Sequence, residues 1–265
     1  FTERFFMITV VFNQKGGVGK STISTNLAAQ SAKLGHKTLL VDLDAQGNST
    51  HYTGFNANDE SLTVADMFKQ VVGIFRTAKK PNAFVHATPF ENLFVMPSSP
   101  ALAEVERELE SRYKIFKLRD ALKELKGEFD NIFIDTPPNF NFYSKAALIA
   151  ADGFCVPFDC DDFSAQAIEH LLNNATELKE DHNPELRLLG IVVNQFNSQA
   201  KLPRELIETL KQQDLPVLES YINATVKVKE SHSKRMPLPF YLSKHKVTNQ
   251  IAALFEELNA SQMKR

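Results

Sequence analysis

Cysteine, net charge and long apolar runs are all scarce in this sequence, and each scarcity removes a class of function. Only two cysteines occur, Cys155 and Cys160, both in an apolar stretch. With no further ligands close by, they read as buried free thiols of a reducing compartment rather than a disulfide framework or a metal site. Thirty lysines and arginines face 32 aspartates and glutamates, a formal net charge of −2. No global field therefore marks a nucleic-acid or membrane binder, and any such binding has to come from a local patch. No apolar run approaches the roughly 18 residues that cross a membrane. The opening residues, Phe1 to Phe6, are too short and too charged for a signal peptide. They are expected to be a short extension or a cloning remnant, with Met7 a candidate natural start and the cytoplasm the default location. Linkers, repeats and low-complexity tracts are missing as well, so residues 7–265 are expected to form one domain.

What is present is enough apolar material, 43% of residues, for a sizeable core. Short apolar, β-branched runs alternate with longer helical patterns. Strands are expected at Ile8 to Phe12, Thr38 to Leu43, Leu93 to Met96, Ile132 to Ile134, Phe154 to Phe158 and Leu188 to Val193, with a short seventh beginning at Val217 and Leu218. Helical patterns cover Lys20 to Leu34, closed by Gly35, then Leu102 to Arg112, Ile115 to Leu125, Ala165 to Glu180, Pro203 to Gln212 and Asn249 to Leu258. Residues 54 to 91 are less regular and are expected to be surface helices and loops. Strands that are almost wholly apolar are buried on both faces. The alternation thus implies an α/β fold: a single doubly wound, mostly parallel sheet with helices on both faces. In such sheets ligands bind at the carboxyl ends of the strands, which makes the polar residues ending each strand the ones to examine.

The first strand ends in Asn13-Gln14-Lys15-Gly16-Gly17-Val18-Gly19-Lys20-Ser21-Thr22. Three glycines let the backbone turn tightly and approach a polyanion. The N–H groups of Gly17 to Lys20 and the start of the following helix can then face phosphate oxygens. Lys20 supplies a point charge for the β- and γ-phosphates, and Ser21 a hydroxyl ligand for Mg²⁺. An ordinary glycine turn would need neither the lysine nor the Ser-Thr pair. The standard phosphate loop carries glycine six residues before its lysine; here Gln14 occupies that place and an extra lysine, Lys15, follows it. Two further strands end in carboxylates. Asp42 and Asp44, two apart, share a face, and Asp135 closes the run Ile132-Phe133-Ile134, an arrangement that delivers a carboxylate to a magnesium shell.

The loop from Asn13 to Thr22 closely resembles the deviant Walker A motif of the ParA/MinD family of P-loop nucleoside triphosphatases. Asp42-Leu43-Asp44-Ala45-Gln46-Gly47-Asn48 is similar to a second segment of that family, with Ala45 replacing its proline. Asp135-Thr136-Pro137-Pro138 is similar to a third, with Asn139 and Phe140 where relatives carry small residues. The likeness runs on through Met96-Pro97-Ser98-Ser99, Ala150-Ala151-Asp152 and Val192-Val193-Asn194-Gln195-Phe196, and spans most of Met7 to Leu258. It implies ATP and Mg²⁺ as ligands, with ATP held by Gly16, Gly17, Val18, Gly19, Lys20, Ser21 and Thr22. It implies that Lys15 acts in trans across an ATP-bound homodimer, where a cation on the transferring phosphoryl group is worth about 10³ to 10⁵ in rate. By the same resemblance Asp44 positions the attacking water, Asp42 lies nearer the metal shell with Ser21 and Asp135, and Asn194 pairs with the adenine edge. The plainer reading of Asn194 is a strand-end turn residue.

Members of this family differ in what the ATP-bound dimer holds. Toward the C-terminus Ile251, Leu254, Phe255 and Leu258 share one helical face while Glu256 and Glu257 lie on the other. Anionic lipid would repel that polar face, so the helix is expected to pack on the core rather than on a membrane. From Tyr221 to Lys246 six basic residues, Lys227, Lys229, Lys234, Arg235, Lys244 and Lys246, face Glu230 alone. Such a segment, doubled in a dimer, can neutralise phosphates without reading sequence; a solvated lysine surface is the plain alternative. The resemblance favours a ParA-like role: nonspecific DNA binding, segregation of plasmid or chromosomal DNA or positioning of a protein cargo, nucleoid association, and a ParB-like or cargo-adaptor partner that stimulates slow hydrolysis. With only a few residues before the first strand, no helix-turn-helix module is expected there. The rival readings are a MinD-like regulator at a membrane surface and a soluble P-loop metabolic enzyme.

Overall fold

The computed structural model describes residues 7–58, 60–70, 78–159, 165–197, 199 and 202–263. Phe1 to Phe6 and Cys160 lie outside the described residues; Cys155 is buried. The strands are β1 (Met7–Val11), β2 (Thr38–Asp42), β3 (His86–Ala87), β4 (Leu93–Met96), β5 (Asn131–Asp135), β6 (Gly153–Asp159) and β7 (Arg187–Asn194). They form a seven-stranded sheet in the order β3-β4-β2-β5-β1-β6-β7. Every pairing is parallel except that of β3 with β4.

The expected seventh strand at Val217 and Leu218 is therefore corrected. Val217 makes a single parallel bridge to Ile191, because Pro216 has no N–H to carry a ladder backwards. The seventh strand is β3, an antiparallel edge of two residues with no apolar pattern of its own.

The helices are α1 (Lys20–Lys33), α2 (Asn48–Tyr52), α3 (Val64–Lys69), α4 (Leu102–Ser111), α5 (Lys117–Glu124), α6 (Phe142–Ala150), α7 (Ala165–His182), α8 (Leu202–Gln212), α9 (Val226–Ser233), α10 (Leu238–Tyr241) and α11 (Lys246–Met263), with a 3₁₀ turn at Pro81–Phe84. Strand alternation divides the core in two. Met7, Val11, Leu40 and Phe133 face α1 and α11. Ile8, Val10, Leu39, Val41, Ile132 and Ile134 face the other way, toward α3 to α8. Ile251, Leu254, Phe255 and Leu258 of α11 are all buried in the first of these clusters, so the terminal helix packs on the core as its sequence suggests. α1 ends as expected near Gly35, whose φ of +90° lets its N–H reach Ala32 O while the His36 N–H reaches Ser31 O.

A bulge sits where β6 meets β7. Phe154 pairs with Leu188 but Cys155 with Gly190, so Leu189 has no partner across the ladder. Gly190 has φ +152°, and a Cβ there would lie 2.5 Å from the Leu218 side chain. Gly190→Ala is expected to destabilise the fold by about 1–3 kcal/mol through overpacking. Urea unfolding checks this, and an unchanged midpoint would refute it.

Candidate phosphate and metal site

The sheet order places β5 between β1 and β2, so the loops after these strands meet at one edge. Asp42 and Asp135 stand in register on neighbouring strands, and both are fully buried. Beside them runs the glycine loop between β1 and α1. Asn13 anchors its start: Nδ2 donates to Pro157 O at 2.7 Å and Oδ1 accepts from the Lys15 N–H at 2.9 Å. The loop carbonyls are then turned toward the protein. Lys15 O accepts from Lys20 Nζ at 2.7 Å, Gly17 O from Gln195 Nε2 at 3.0 Å, and Val18 O from Asn194 Nδ2 at 2.9 Å. A planar trans peptide points its N–H opposite to its C=O. The N–H groups of Gly16, Val18 and Gly19 therefore point to the other side of the loop. Gly19 ends the loop at φ +94°, and α1 begins with no side-chain cap, which leaves its first N–H groups to an anion. A Cβ on Gly19 would lie 2.1 Å from Asn194 Nδ2, so only glycine lets β7 close on the loop.

Asn194 is thus a clamp on the loop in this structure, a role that neither a strand-end turn nor an adenine contact implies. The neighbouring Gln195, at φ +54°, adds the second clamp.

The electrostatics are those of a site short of positive charge. Burial, followed by the nearby Asp135 carboxylate, pushes Asp42 up to about 8. Burial likewise pushes Asp135 up to about 6, against hydrogen bonds from Ser21 and Ser49 and the charge of Lys20. Burial lowers Lys20 despite the attraction of Asp135 and Asp44. The two aspartates are not equivalent. Asp42 is engaged by its own chain: Oδ2 accepts from the Thr50 N–H and Thr50 Oγ1, both at 2.8 Å, and Oδ1 from the Asp44 N–H at 3.1 Å. Asp135 Oδ2 accepts from Ser49 Oγ at 2.7 Å, while its Oδ1 is buried with no hydrogen-bond partner. An orphaned buried carboxylate oxygen beside a serine hydroxyl and a lysine suits a hard divalent cation and its water shell. Asp44 is half-buried and its Oδ1 accepts from the Gln46 N–H. Ser49 and Thr50, on the short α2, were not legible as site residues, since five residues are too few to show a period. Phe140 lies 5.9 Å from the Phe12 ring under the Lys145 ammonium, filling the space beside the loop after β5.

The sequence-expected basic face is split by the structure. Lys229 and Lys234 are exposed, and Lys227 pairs with Glu230 at 2.8 Å. Arg235 is held by α2 and the loop after it: its guanidinium donates to His51 O, Asn56 Oδ1 and Phe55 O. These bonds fasten the end of α9 to the body.

Residues 6–188 match the family model described as the AAA domain. The chain is 32% identical over 253 residues to the chromosome partitioning protein ParA of Myxococcus xanthus, covering 95% of this chain and 87% of that one. It is 32% identical over 236 residues to the sporulation initiation inhibitor protein Soj of Bacillus subtilis, covering 88% and 90%. Among solved structures it is similar to cobyrinic acid a,c-diamide synthase from Mycobacterium smegmatis with bound ATP analog and magnesium, with a TM-score of 0.82, 26% identity and coverage of 98% and 97%.

Raised carboxyl pKa values mean that the folded state holds protons the unfolded chain has already released. Their stabilising contribution is full below pH 4 and is lost as the pH climbs through about 6 and 8. Asp135→Asn removes one of these ionisations. Without nucleotide, the variant is expected to be more stable than the parent by about 3 kcal/mol at pH 8, with the difference vanishing near pH 4. Thermal unfolding across that range checks it, and a gap independent of pH would refute it.

Proposed function

The chain belongs to the ParA family of partition ATPases, and from that premise we propose that it is an ATP-driven dimerisation switch whose ATP state holds nonspecific DNA. What carries the reading is the loop Lys15 to Thr22 with Lys20 folded inside it and the unpartnered oxygen of Asp135 behind it. Its ligands are ATP and Mg²⁺. The N–H groups of Gly16 to Lys20 and the Lys20 ammonium bind the phosphates. Ser21 and Asp135 hold the cation, with Asp42 beside them, and Mg²⁺ when bound offsets charge on the β- and γ-phosphoryl oxygens. Asp44, on the loop after β2, orients and polarises the attacking water by accepting its hydrogen bond. Lys15, half-buried in the same loop, crosses to the nucleotide of a second copy. Thr22 sits behind the phosphates on α1, and Asn194 turns from clamp to adenine partner.

The DNA face consists of Lys227, Lys229, Lys234 and Arg235, with Lys244 and Lys246 from the same basic segment. Doubling by dimerisation makes retention depend on nucleotide and fall with salt. Hydrolysis, stimulated by a ParB-like or cargo-adaptor protein, releases the DNA, and the cycle segregates DNA or positions a cargo in the cytoplasm over the nucleoid. A MinD-like membrane role is weakened because the apolar face of α11 is already buried. No helix among the described residues is long and apolar enough to cross a membrane. A P-loop metabolic enzyme, the rival raised by the likeness to a synthase, needs a second substrate pocket beside the phosphates.

Lys20→Ala is expected to abolish ATP binding, whereas Lys15→Ala leaves binding within about threefold and lowers turnover by about 10³ or more. Equal loss of ATP affinity in both variants would refute the trans role. A paired binding assay tests the destination. Retention on random-sequence DNA in ATP, fading with salt, is expected, and binding to anionic liposomes without DNA binding would overturn the reading.

A further inference from the structure

α9 carries the basic face, yet its seat is almost entirely polar. Of its eight residues only Ser231 is buried, and Val228 is its sole partly buried apolar contact with the core. Ser231 Oγ lies 2.6 Å from the Tyr52 hydroxyl. The His232 ring stacks on Tyr52 at 3.7 Å between centroids and 19° between planes. His232 Nε2 sits 3.0 Å from Thr22 Oγ1. Burial, with the charge of His51, pushes the imidazole down to about 4, so the ring is neutral and serves Thr22 as a plain hydrogen-bond partner. Asn26 Nδ2 donates both to Thr22 O and to the Tyr52 hydroxyl. The Arg235 bonds to the backbone after α2 complete the seat.

Every one of these partners belongs to α1, to α2 or to the loop after α2. The same two helices hold the metal site from the other side. Ser49 of α2 donates to Asp135 and Thr50 of α2 donates to Asp42, while Ser49 Oγ also lies 3.4 Å from Ser21 O of α1. Ser49 and Tyr52 are three apart on a helix of five residues, too short to bend within itself. A displacement imposed at Ser49 reaches Tyr52 as a rigid movement. Apolar contacts tolerate such a shift because they are non-directional; hydrogen bonds weaken steeply with angle.

We propose that Tyr52, Ser231 and His232 are positioning residues that make the setting of the basic helix α9 depend on what Asp135 binds. The inference rests on the reading of the site as an ATP- and Mg²⁺-dependent switch. A cation on Asp135 redirects its carboxylate, Ser49 follows, and α2 re-seats α9 through Tyr52. The lysines of α9 are then presented differently with and without the triphosphate.

The test is amide hydrogen exchange over Val226 to Ser233, with and without Mg²⁺ and ATP, in the parent and in Tyr52→Phe/Ser231→Ala. The double substitution removes both hydroxyls of one bond and keeps the ring stacked on His232; Asn26 Nδ2 loses the Tyr52 hydroxyl but keeps Thr22 O as its acceptor. Exchange across α9 in the parent is expected to change by about fivefold or more on adding Mg²⁺ and ATP, the equilibrium worth of roughly one hydrogen bond. In the variant that change is lost while Mg²⁺–ATP affinity stays within about twofold. Should the double variant not fold, Tyr52→Phe alone is expected to lose part of the change. No change in the parent, a change retained in the variants, or a parallel collapse of ATP affinity would each overturn the proposal. Failure of the parent to retain DNA in ATP would overturn the DNA reading alone, because the exchange result stands without DNA.

Discussion

Two carboxylates in register at the end of a buried parallel sheet, Asp42 and Asp135, form the constraint from which the rest of this molecule follows. Neither has water to ionise into, and the nearby ammonium of Lys20 is itself held down by burial. The fold answers for one of them internally, by giving Asp42 the N–H and hydroxyl of Thr50. It leaves the other with an unpaired oxygen. A sheet that had to be stable in isolation would not be built this way, since buried unpaired charge is among the costliest features a core can carry. The arrangement makes sense as a scaffold whose charge is balanced from outside.

Around that edge, polarity increases with distance from the sheet. β1, β2 and β5 are apolar on both faces and set the carboxylates rigidly. The glycine loop and α2 are held by hydrogen bonds from Asn13, Asn194, Gln195 and Ser49. α9, farthest out, rests on Tyr52, His232 and Arg235 with little apolar support. Rigidity is thus concentrated where distances matter for chemistry, and directional polar contacts are concentrated where position is to respond.

Much of this was legible in the residues. The phosphate loop declared itself because glycine, lysine and serine at fixed spacing have few other uses, and the carboxylates did so because each ended an apolar run. Residues in α6 and α9 were harder to read for physical reasons. α6 is apolar nearly all round, with Phe142, Tyr143, Ala146, Ala147, Leu148 and Ile149 all buried, so it shows no helical stripe. α9 begins Val226-Lys227-Val228-Lys229, an alternation that mimics a strand; the Thr225 cap, whose side chain accepts from the Lys227 N–H, decides for a helix. The bonds from Arg235 to His51 and Phe55 were not legible, because charge counts carry no information about which carbonyls lie within reach. The contacts of Tyr52 and His232 join residues about 180 apart in sequence, beyond any local pattern.

The seat of α9 also bears on how such a protein can diversify. A helix with one buried residue, a serine, contributes little to folding free energy, and exposed substitutions away from buried features usually stay within about 0.5 kcal/mol. Lys229, Lys234 and the exposed Val226 can therefore be exchanged with little effect on whether the chain folds. Selection can rework the outward chemistry of this helix, and so the choice of what it touches, while the energetic machinery beneath it is left alone.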